Sequence, residues 1–64
     1  MDLATERLNR GMSIRGLARE LEIPEQSIRR LEAGMGVQPA TAKKVADFYG
    51  VRVTDLPVFA ERAA

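Results

Sequence analysis

SIRGLARELEIPEQSIRRLEAG, residues 13–34, holds two apolar stripes of helical period separated by a short break. Ile14, Leu17, Ala18 and Leu21 fall at i, i+3, i+4 and i+7 and so line one face of a helix that runs to about Leu21. Ser13, just ahead of them, is placed to cap it. Glu22, Ile23 and Pro24 form a short connection, and Pro24 suits the first turn of a following helix because its missing N–H would have had no partner there. That next helix is expected from about Glu25 to Ala33, with Gly34 as its stop. Two short helices joined by so tight a turn cross steeply only over a small residue, and Ala18 is there. Leu17, Leu21, Ile23, Ile28 and Leu31 have the spacing to hold both helices to a core. Residues 14–33 therefore read as a helix-turn-helix unit. On a helical wheel Gln26, Arg29, Arg30 and Ala33 point away from Ile28 and Leu31, with Glu25 at the border, which leaves one face free to enter a major groove.

Working outward, Asp2 to Arg10 carry Leu3, Ala4 and Leu8 on a first helix that Gly11 stops. Gly34 and Gly36 open a loop over Met35 to Gln38, and Pro39 starts a fourth helix. In that helix Ala42, Val45, Ala46 and Tyr49 repeat the same spacing, Lys43, Lys44 and Asp47 turn away, and Gly50 closes it. Thr54 reads as the cap of a fifth helix over about Asp55 to Arg62. No strand pattern, repeat or low-complexity stretch interrupts the series. The expected architecture is all-α, five helices in one domain over residues 1–64, with the thin core that 64 residues allow.

The chain has no Cys and no His, so thiolate or imidazole metal sites and neutral-pH general bases lose their usual residues. Neither an enzyme, a metal site nor a cofactor is expected. Apolar runs are far shorter than the ~20 residues a membrane span needs, and no basic-then-apolar leader opens the chain, so the expected location is cytoplasmic, away from membranes. Ten Lys plus Arg against nine Asp plus Glu leave a net charge of +1, which is weak support for a polyanionic partner. Placement matters more than the total: Arg7, Arg10, Arg15, Arg19, Arg29 and Arg30 all lie in the first half of the chain.

Residues 13–34, together with PATAKKVADFYGVRVTDL at residues 39–56, resemble the Cro and lambda-type repressor family, also called the XRE family, over roughly residues 5–57. The likeness rests on the combined spacing of Ala18, Ile28, Leu31, Gly34 and the turn at Tyr49 to Val51. It implies a lambda-repressor-like fold and a sequence-specific transcriptional regulator, repressor-like and of a phage or other mobile element. Such a protein acts by occupying a double-stranded DNA operator as a homodimer. The family's base-reading positions fall on Glu25, Gln26 and Arg30, with Arg29 and Ser27 beside them. Gln pairs bidentately with adenine and Arg with guanine. The resemblance also implies a structural ion pair for Arg7 with Glu32 and places Ser27 and Arg29 on or near backbone phosphate. Ser13, Arg15 and Arg19 are further phosphate candidates because the helix they lie on must cross the backbone if the next one is in the groove, and Lys43 and Lys44 are candidates for phosphate contact or for a solubilising surface. Leu56 is expected in the core, and Val58 and Phe59 at a dimer interface. The chain departs from the pattern at three places. Glu22 holds a turn position usually given to Gly and is expected at positive φ, Ile14 replaces a polar residue, and the loop Met35 to Gln38 lacks basic side chains. Those departures keep open a protein-interaction module on the same fold, an antiactivator or antitoxin-like chain with a protein partner. A recombination directionality factor is a further alternative.

Overall fold

The structure is a computed structural model and describes residues 1–59. Four α-helices follow one another, α1 Leu3–Asn9, α2 Ile14–Leu21, α3 Glu25–Glu32 and α4 Pro39–Tyr49, and a 3-10 turn covers Val53–Asp55. Residues 57–59 are helical again, and no strand occurs among the described residues.

The apolar stripes meet in one core. Leu17 and Ala18 of α2, Ile28 and Leu31 of α3, and Ala42, Val45, Ala46 and Tyr49 of α4 are all buried there with Leu3. Leu21 and Ile23 pack half-buried at its edge. Each large aliphatic side chain withdrawn from water in this way contributes about 1.5–3 kcal/mol, which is what a chain this short relies on. Ala18 is 4% exposed at the α2–α3 crossing, so the small side chain is what lets the two helices come together.

Two expectations need correction. Leu8 is 64% exposed rather than on the core face of α1. Its offset of five residues from Leu3 turns it about 140° around the helix, whereas Arg7, four residues on, stays near Leu3's side. The expected single helix over residues 55–62, capped by Thr54, is divided instead. Thr54 lies inside the 3-10 turn, and the backbone N–H of Arg52, the residue that caps the turn, donates to the Asp55 carboxylate. Leu56 then takes an extended ψ of 140, because Pro57 bars the residue before it from helical geometry, and the helical backbone restarts at Pro57. Residues 60–62 of that expected helix lie outside the described residues. Leu56 is fully buried, as a core position should be.

Candidate nucleic-acid interface

The geometry of the outward surface begins with how α2 ends. Ser13 Oγ accepts the Gly16 N–H at 2.9 Å and so satisfies one of the free donors at the start of α2. At the other end Glu22 takes φ 56 and ψ 46, the left-handed conformation, and the Ile23 N–H returns to the Ala18 carbonyl at 3.0 Å. Glu22 is the one non-glycine residue at positive φ among the described residues, a cost of about 1 kcal/mol that the turn imposes. Pro24 is extended and delivers the chain directly into α3.

With Ile28 and Leu31 each 2% exposed beneath it, the other side of α3 faces solvent. Gln26, Arg29 and Ala33 are exposed, and Glu25 and Arg30 are half-buried at the margins of this face. Arg30 has a second attachment that sequence reasoning missed: its Nε donates to the Gly36 carbonyl at 3.1 Å, while its own carbonyl accepts the Met35 N–H at 2.8 Å. The loop after α3 is therefore fastened to Arg30 on both sides. Only the Nε is used, so the two terminal nitrogens keep their donors for something else.

Charge on this face is balanced locally. Glu25 accepts from Arg29 Nη2 at 3.4 Å and lies 3.8 Å from Arg15 Nε of α2. Arg19 is exposed on α2, and with Arg15, Glu22 and Glu25 it lines an open recess over the turn. A second open recess runs between α3 and the start of α4, bringing Ser27 and Arg30 together with Gln38 and Thr41. Gln38 and Thr41 were not anticipated. The signal was their position at the cap and first turn of α4, next to a Pro that fixes where that helix starts. Lys43 and Lys44 are exposed farther along α4 and line neither recess, and Lys43 is occupied by Asp47.

Arg7 and Glu32 brace the site from behind, 2.7 Å apart and nearly withdrawn from solvent. The hydrogen bond to Glu32 raises the Arg7 pKa further above its ordinary value, so the guanidinium stays charged. Val58, expected at a dimer contact, is instead 9% exposed in the chain's own core, because the turn at Leu56 and Pro57 folds it inward; Phe59 packs half-buried against that core. No group of His, Cys, Asp or Glu that could hold a metal ion occurs among the described residues. No helix of the described residues is long and apolar enough to cross a membrane.

A helix-turn-helix family model matches residues 3–56, which takes in all four α-helices and the 3-10 turn. Comparison with curated proteins and with solved structures found no match.

Proposed function

Because the chain belongs to the XRE family of Cro- and repressor-type helix-turn-helix proteins, whose members are DNA-binding regulators, we propose that it is a sequence-specific transcriptional repressor that reads the major groove with α3. The observation that carries this reading is the free outward face of α3, where Gln26 and Arg29 stand exposed between the flanking Glu25 and Arg30. Gln26 pairs with an adenine edge, and the terminal nitrogens of Arg30 reach guanine while its Nε holds the loop. Arg29 supports the same face. Ser13, Arg15, Arg19 and Ser27 lie along α2 and the start of α3, where backbone phosphates pass when α3 is in the groove, and Lys43 and Lys44 reach phosphate from α4. Two copies bind adjacent half-sites, with Phe59 at their contact. Control is by occupancy: operator-bound protein obstructs polymerase. With a net charge of only +1, affinity depends on these placed cations and falls steeply with salt.

The test is anisotropy of a labelled duplex that wild type selects from a random-sequence pool, with wild type and Gln26→Ala/Arg29→Ala. Neither residue holds the fold, so the circular-dichroism spectrum should be unchanged while affinity falls by about tenfold or more. Equal affinity in a folded double variant would show that α3 is not the reader and would favour a protein partner for this face.

A further inference from the structure

Glu25 is the one acidic side chain on the reading face of α3, and the structure places it between two arginines. One carboxylate oxygen accepts from Arg29 Nη2 at 3.4 Å within the helix, and the other lies 3.8 Å from Arg15 Nε across the turn. The three side chains remain 38%, 56% and 71% exposed for Glu25, Arg29 and Arg15, so these pairs contribute little to stability. What they do is offset the charge of the carboxylate at the leading end of the helix.

A carboxylate carried into a major groove meets acceptors almost everywhere: guanine N7 and O6, adenine N7 and thymine O4, with phosphates on either side. Two base edges offer a donor, adenine N6 and cytosine N4. On adenine the donor sits beside the N7 acceptor, which repels a carboxylate, whereas cytosine presents its N4 donor with no acceptor of its own beside it. An anion at this position is thus a filter. It opposes close approach unless a cytosine amine is there to meet it, and the two arginines keep the cost of carrying it past the phosphates low. We propose that Glu25 is a specificity-determining residue that selects cytosine at one position of each half-site. The inference rests on the DNA-reading role of α3 proposed above.

Replacing the carboxylate by its isosteric amide makes the sharpest test, because Gln pairs bidentately with adenine N6 and N7. Binding sites are selected from a random duplex pool with the full chain as wild type, Glu25→Gln and Glu25→Ala, and affinities are then measured for selected sites carrying single base exchanges. One position should read cytosine for wild type, adenine for Glu25→Gln and no base for Glu25→Ala, with the other positions unchanged. The preference at that position should be about tenfold or more. The amide should also release Arg15 and Arg29 to phosphate, so that affinity for unrelated duplex rises and its salt dependence steepens. A wild-type site that is recovered but does not change with either variant overturns the role of Glu25 alone. Failure of wild type to bind or enrich any duplex overturns the DNA-reading role and this inference with it.

Discussion

Arg7 and Glu32 form a two-pronged ion pair that fastens α1 to the end of α3: Nε donates to Oε2 at 2.7 Å and Nη2 to Oε1 at 3.1 Å. The remaining Nη1 donates to the Met12 carbonyl at 2.9 Å, so the whole guanidinium head is engaged. Side chains only 11% and 12% exposed leave little water to replace a lost partner. Removing one charge should therefore cost far more than removing both. Glu32→Leu alone is expected to lower stability by about 2–3 kcal/mol, Arg7→Met alone by a similar amount, and the double variant Arg7→Met/Glu32→Leu by clearly less. Urea unfolding of the two singles and the double, analysed as a thermodynamic cycle, checks this. Additive losses would mean that the two residues do not act as a pair.

The phenol of Tyr49 is a cost of the opposite kind. Its Oη is buried without a hydrogen-bond partner among the described residues, although the ring packs edge-on against Phe48 and carries the Arg10 guanidinium 4.9 Å from its centre. Tyr49→Phe keeps the ring and removes the orphaned hydroxyl, so stability should be unchanged or rise by up to about 1 kcal/mol in thermal unfolding near neutral pH. A loss above that range would show that the hydroxyl has a partner after all.

Burial, and after it the neighbouring Glu32, raises the Tyr49 pKa above its ordinary 10.0. The folded state therefore holds this proton more tightly than the unfolded chain does. Its contribution is complete below the unfolded value and is lost as pH rises through the folded one, so above about pH 10 wild type should lose stability more steeply than Tyr49→Phe. Parallel curves for the two proteins over that range would remove Tyr49 as the cause.

Glu22 holds a left-handed conformation that its side chain does not favour. Glu22→Gly should relieve that strain, with a net gain of at most about 0.5 kcal/mol once the extra freedom of glycine in the unfolded chain is set against it. An unchanged or lower melting temperature would mean that the Glu22 side chain contributes more in the folded state than its backbone costs.

The turn and the three helices around it are legible in the sequence because each rests on local information. Ile14, Leu17, Ala18 and Leu21 mark a face by spacing alone, and Pro24 and Pro39 mark starts by what their rings forbid. The conformation of Glu22 is legible only through the family resemblance, which places it at a turn position usually given to Gly. Other features depend on where separate segments arrive. Arg30 finds the Gly36 carbonyl only after the loop has turned back, and Arg15 finds Glu25 only after α2 and α3 have crossed. Leu8 was misjudged for a simpler reason, an i+5 offset counted with the stripe of Leu3 and Ala4. At the C-terminal side, the effect of Pro57 on Leu56 outweighed the apparent helical run from Thr54 onward.

The attachment of Arg30 to Gly36 separates two properties that a single positive charge would combine. Lysine retains the charge at this position but has one ammonium, which cannot both hold the Gly36 carbonyl and present a two-nitrogen fork to guanine. Arg30→Lys should therefore keep nearly the same number of released counterions, and a plot of log affinity against log salt should keep its slope. Affinity for the selected site should still fall about tenfold, with relaxed preference at one guanine. Arg30→Ala should lower both affinity and slope if this cation approaches phosphate as well. Anisotropy titrations at four or five salt concentrations separate these patterns. If Arg30→Lys binds the selected site as tightly as wild type, the fork has no role in reading the base, and Arg30 acts only as a charge.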